Sequence, residues 1–230
     1  MRSRPAGAVG APLLVCLCLT GCSGLLHSNA KPEQIYYLRA PPAQAAAADG
    51  AAAASPATHS ADSAPLPVSV RVGRPVANPG LDSPHIMLLQ TDHRMNFYTG
   101  SRWPGPAPEV IEALAVQTLR ASGAWSSVED SASPFPSDYL LQVHLRRFEA
   151  DYTEGGAAPT VHVVLDCIIG RRQGREVLAT FTASGAAAAP TNHLAEVVAA
   201  FEQATGTALE QLSQQALQTV RADPQRSALN

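Results

Sequence analysis

The chain has 230 residues, with 16 lysines and arginines against 19 aspartates and glutamates, a formal net charge of −3. Charged residues are only 15% of it and basic runs are absent, which argues against nucleic acid as a partner and against a polybasic contact with anionic lipid heads. Much of the apolar fraction is alanine, so one domain of modest size is the expectation.

The chain opens on Met1, Arg2, Ser3 and Arg4, and residues 11–19 (APLLVCLCL) are apolar throughout. A helix needs roughly 20 apolar residues to cross a bilayer, so this short run after a basic start reads as an export signal. Leu19-Thr20-Gly21-Cys22 resembles the lipobox of bacterial lipoproteins. That resemblance implies removal of residues 1–21, a diacylglyceryl group on the Cys22 thiol and an acyl group on its new amine. Several acyl chains anchor stably at about 0.8 kcal/mol per buried CH₂, where a single chain binds reversibly. Ser23 follows the cysteine, and the absence of Asp there favours, by the same resemblance, the outer membrane. Without the signal, 14 basic residues face 19 acidic ones, for a net charge of −5. Cys16 and Cys18 leave with the signal and Cys22 becomes the anchor. Cys167 is then alone, free of any internal disulfide, and reads as a small buried residue.

Residues 22–66 are expected to form the lipidated N-terminus and a flexible tether. Within them Ile35, Tyr36, Tyr37 and Leu38 make a β-prone cluster suited to an edge strand. Residues 43–65, built of Ala, Ser, Asp, Gly and Pro, have no large apolar residue to bury. A coil of about 25 residues spans roughly 25–30 Å.

The folded domain is expected over residues 67–219. Val68, Val70 and Val72 alternate with polar residues in a strand that stops at Pro75. HIMLLQ and MNFYTG flank TDHR as a hairpin. The next helix has prolines at its start, ends at Gly123, and carries Val110, Ile111, Leu114, Ala115, Thr118 and Leu119 on one stripe. AWSSVE is a short strand.

Three further strands then follow as an antiparallel meander. Their single-face sets are Tyr139, Leu141, Val143 and Leu145; Val161, Val163, Leu165, Cys167 and Ile169; and Val177, Ala179, Phe181 and Ala183. Gly155-Gly156 and the RRQG run supply the turns. A long helix from Asn192, its expected N-cap, to Thr219 buries Leu194, Val197, Val198, Phe201, Ala204, Ala208 and Leu212. Residues 220–230 read as a disordered tail. The fold class is therefore α+β, a mixed, mainly antiparallel sheet with two amphipathic helices packed on one face, preceded by a disordered tether.

The sequence holds no G-x-S-x-G, H-E-x-x-H or C-x-x-C motif, and no Gly-rich phosphate loop between strand and helix. No catalytic residue, metal or cofactor is expected. His144 and His162, with Asp166, are the best metal-ligand set available, but they read more simply as the polar face of the sheet, as do His85 and His93 near a turn. Phe97, Tyr98, Arg102 and Trp103, aromatics with an arginine, are the candidate partner-docking residues. The competing reading packs Phe97 and Trp103 between the hairpin and the first helix.

The lipobox, the early YYLRAP, and RPVANPGLDS, MNFYTGSRW, LRASGAW and DYLLQVHLRRFEA, in that order and spacing, resemble the ABC-type transport auxiliary lipoproteins, including the paraquat-inducible lipoprotein C type. The alanine-rich tether and the polar tail depart from that pattern. The resemblance implies a non-enzymatic, lipid-anchored outer-membrane subunit facing the periplasm. Its partners would be an MCE-family periplasmic protein and the ABC permease and ATPase of a system moving phospholipids or other hydrophobic molecules between membranes. The alternative is an envelope lipoprotein that regulates a cell-wall or secretion machine.

Overall fold

The structure, a computed structural model, describes residues 33–40 and 65–226. Its nine strands form one sheet. In chain order they are β1 (Gln34–Ile35), β2 (Leu66–Val72), β3 (Val76–Ala77), β4 (His85–Leu89), β5 (Met95–Arg102), β6 (Trp125–Glu129), β7 (Tyr139–Asp151), β8 (Thr160–Arg171) and β9 (Glu176–Ala188). Helix α1 (Ala107–Ala121) follows β5, and α2 (Leu194–Ala222) follows β9.

Strand β7 is the spine. Tyr139, Leu141, Val143 and Leu145 are buried along one side, as their alternation predicts. A bulge between Leu145 and Arg147 then shifts the phase, so that Phe148 and Ala150 continue the buried face. β8 pairs antiparallel with β7 over its length, and β9 pairs antiparallel with β8. On the other edge of β7, the chain from β2 through β3 to β4 runs parallel as a broken strand. Val70 lies opposite Tyr139, Val76 opposite His144 and Leu88 opposite Ala150. β4 turns back as β5, β1 adds parallel to β5, and β6 adds parallel to β2. The long ladders are antiparallel and the short ones parallel, and both helices pack on the sheet and on each other, giving the expected α+β layer.

α1 opens with Pro108 inside its first turn, where a missing N–H leaves no bond unmade. It closes at Gly123, whose φ of +62° suits glycine and whose N–H reaches the Arg120 carbonyl. All six residues of its expected stripe are buried. α2 lies across β8 and β9 with Val197, Phe201, Ala204, Ala208 and Leu212 inward. At Gly185 of β9 the two backbones nearly touch, and a Cβ there would lie 2.0 Å from the Ala204 carbonyl oxygen. Beneath α2, Trp103, Phe148 and Phe201 close the core as three mutually tilted rings with centroids 5.0–5.7 Å apart.

Several boundaries differ from expectation. Residues 33–40 belong to the domain and not to the tether, with the edge strand expected near Ile35 present as β1: it pairs with β5, Glu33 meets Arg102 at 3.0 Å, the Tyr36 N–H donates to the Arg102 carbonyl, and Leu38 packs on the core. Residues 41–64, outside the described residues, therefore join two docked segments, and ten residues (23–32) separate Cys22 from Glu33. At the other end, α2 continues to Ala222, and Asp223 is buried rather than part of a tail. Its carboxylate accepts from the Tyr139 hydroxyl at 2.8 Å and meets Arg171 Nε at 3.3 Å. Burial, and next the Asp223 charge, push the Tyr139 hydroxyl above the ordinary phenol range. Residues 227–230 lie outside the described residues.

Asn192 does not cap α2. His193 is the N-cap, and the Asn192 side-chain oxygen accepts from the Tyr152 hydroxyl. Val177 is exposed, because a register shift between Ile169 and Gly170 turns it to the face away from the helices. No helix among the described residues is long and apolar enough to cross a membrane.

Candidate docking surface

Cys22, the expected lipidation residue, lies outside the described residues. The docking candidates lie on the ribbon formed by β1, β5 and β4. Residues directly opposed across strands share a face, and here Met87 opposes Phe97, Leu89 opposes Met95, and both Ile35 and His85 oppose Arg102. Ile35, Met95 and Phe97 are 46%, 44% and 42% exposed, with Met87 and Leu89 half-buried between them. The His85 ring stacks on Phe97 at 4.4 Å and 18°. The result is an apolar strip of adaptable side chains, two of them thioethers that reshape to a partner. At its rim Arg102 is paired with Glu33, and Arg94 with Asp92 at 2.5 Å. Asp92 is exposed, and the Arg94 hydrogen bonds outweigh the desolvation it feels, leaving its carboxyl below the usual range. An apolar centre with a charge-balanced rim is the anatomy of a protein interface.

The four residues expected to dock are divided by the fold. Phe97 and Arg102 are on the strip. Tyr98 points the other way, its hydroxyl 2.7 Å from that of Tyr152, and burial, followed by that neighbour, raises it above the ordinary phenol range. Trp103 is fully buried between Phe148 and Phe201, so it is a core residue. Trp103 is buried, as the competing reading has it, but against β7 and α2, and Phe97 is exposed. Ile35, Met87, Leu89 and Met95 were missed, although the hairpin's alternation carried the signal for the last three.

The histidine set does not assemble. His144 opposes Asp166, while His162 opposes Glu149 four positions further along β8, roughly 13 Å at 3.3 Å per residue. Asp166 is already engaged, accepting from the Thr182 hydroxyl at 2.8 Å and meeting Arg146 at 3.4 Å. No group of three or more His, Cys, Asp or Glu is placed to hold a metal among the described residues. The Cys167 thiol is buried, and burial, then the Asp166 charge, push it up to about 12, which leaves it without nucleophilic thiolate near neutral pH.

The sequence pattern of one family, described as the ABC-type transport auxiliary lipoprotein component, matches residues 51–215. No curated protein matches the chain. Among solved structures, a Xanthomonas campestris protein of family DUF330 is similar at 30% identity and a TM-score of 0.64, over 70% of this chain and 91% of that one. An uncharacterised protein shares the fold at 14% identity and a TM-score of 0.53, over 66% of this chain and 95% of that one.

Proposed function

The chain belongs to the ABC-type transport auxiliary lipoprotein component family, and from that premise we propose that it is a non-enzymatic accessory subunit of an MCE-type ABC system moving phospholipids or other hydrophobic molecules between membranes. In this reading residues 1–21 are cut off, Cys22 carries the lipid, and Ser23 directs it to the outer membrane facing the periplasm. Residues 33–40 and 65–226 are the docking head. The observation that carries the reading is the family match across residues 51–215. The buried, protonated Cys167 and the scattered histidines support a binding role over a catalytic one.

Several buried acyl chains hold the molecule at the bilayer. Ten residues extend to at most about 36 Å, so the head stays near the membrane, where its local concentration toward a fixed target is high. The exposed strip with Phe97 and Arg102 at the centre and rim is the surface offered to the MCE protein or the permease.

The test is capture of the tagged full chain from a detergent extract of its own cells, beside Phe97→Asp and Cys22→Ala variants. Transport subunits should come down with the wild type and be depleted with Phe97→Asp, while Cys22→Ala should leave the membrane fraction. Recovery of cell-wall or secretion components in their place would hand the assignment to the rival reading. An intact mass lacking acyl groups at Cys22 would remove the anchor.

A further inference from the structure

A second exposed feature lies on the sheet face turned away from the helices, on β7, β8 and β9. There Leu140 lies opposite Gly170, Gly170 opposite Val177, and Gln142 opposite Ile168. Gly170 adds no side chain to this row, and a Cβ there would stand 2.7 Å from the Glu176 carbonyl oxygen. What remains is a hollow of about 480 Å³ floored by Leu140, Ile168 and Val177, within the size range of small-ligand sites. Ile168 and Val177 are 38% and 63% exposed, and nothing among the described residues covers them.

The turn between β8 and β9 lines the same hollow with arginines. Arg171 is buried and neutralised by Asp223 and Glu176. Arg172 donates to the Ser137 hydroxyl at 3.2 Å and has no acidic partner among the described residues. The Arg175 side chain has no hydrogen-bond or ion-pair partner among the described residues. Its backbone nevertheless holds φ at +54°, a left-handed conformation that glycine adopts without strain and arginine rarely does. That strain is not offset by any hydrogen bond or ion pair of the side chain among the described residues.

An apolar floor with two guanidinium groups at its rim that have no carboxylate partner among the described residues is complementary to an anionic head joined to an apolar tail. We propose that this hollow binds an anionic amphiphile, with its head on Arg172 and Arg175 and its alkyl chain over Leu140, Ile168 and Val177. The site depends neither on the anchor at Cys22 nor on the identity of the protein partner, so it stands or falls separately from the transport role.

Native mass spectrometry of the full chain in a neutral maltoside detergent, titrated with dodecyl phosphate, tests it. The wild type should take up one dodecyl phosphate per chain at least tenfold more tightly than inorganic phosphate. Arg175→Gly, which relaxes the backbone, should melt no lower than the wild type yet bind at least tenfold more weakly. Ile168→Asp should bind as weakly. Equal uptake by Arg175→Gly, equal uptake of inorganic phosphate, or no adduct at all would overturn the proposal. So would a Val177→Cys cross-linker that captures a protein in cells and excludes lipid.

Discussion

Gly185→Ala is the most direct probe of how α2 is seated. The added Cβ would lie 2.0 Å from the Ala204 carbonyl oxygen, 2.9 Å from its carbon and 3.1 Å from the Ala208 nitrogen. All three are helix backbone, so no rotamer change relieves the contact. Carbon-to-oxygen contacts settle near 3.3 Å, so α2 must withdraw from β9 by roughly 1 Å or more. A gap of about 0.5–1 Å forfeits a quarter to a half of each dispersion contact, and Phe201, Ala204, Ala208 and Leu209 all face the seam. Overpacking usually costs about 1–3 kcal/mol. With backbone on both sides the expected loss is at the top of that range, about 3 kcal/mol. In a domain of this size that lowers Tm by roughly 6–12 °C. Circular dichroism of the full chain, by heat and by urea, measures it, with exposed Ser184→Ala as a control expected within about 0.5 kcal/mol of wild type. A Gly185→Ala protein as stable as that control would refute the close approach of helix and strand.

Three other outcomes follow from the same packing. Asp223→Ala leaves the Arg171 guanidinium, 6% exposed, with only the exposed Glu176 as a carboxylate partner; urea unfolding should show a loss of about 3 kcal/mol. Trp103→Ala empties the centre of the aromatic cluster and should cost about 3–5 kcal/mol, whereas Phe97→Ala should change stability by less than about 0.5 kcal/mol while weakening partner capture. The Cys167 thiol ionises near 9.0 when unfolded but is pushed up to about 12 in the fold. Stability should therefore begin to fall as pH rises beyond about 9. Cys167→Ala should remove the part of the fall that sets in between about pH 9 and 10, leaving the part due to the raised Tyr98 and Tyr139 hydroxyls at higher pH, and iodoacetamide should label Cys167 only after denaturation.

Local pattern carried most of the elements. The alternation in β2, β7 and β8 and the stripe on α1 survive unchanged because each depends on neighbours a few residues away. Local pattern failed where a distant partner overrode it. Past Thr219 the chain continues as helix to Ala222, and Asp223 is buried against Arg171, 52 positions earlier, as its counter-charge. Val177 leaves the apolar face because one register shift reverses the parity of a whole strand end. Trp103 and Phe97 look equally suited to an interface in sequence, yet one has two rings to close against and the other has a histidine at the surface.

By itself, then, the sequence determined the period of each element, the α+β class and the family resemblance, because side-chain periodicity is written locally and in order. Only the tertiary structure decided which aromatics are core, that residues 33–40 lock onto β5, and that Arg172 and Arg175 meet an apolar hollow. Those results depend on strand register and on a helix lying against a glycine, contacts between residues far apart in the chain whose energies no local pattern encodes.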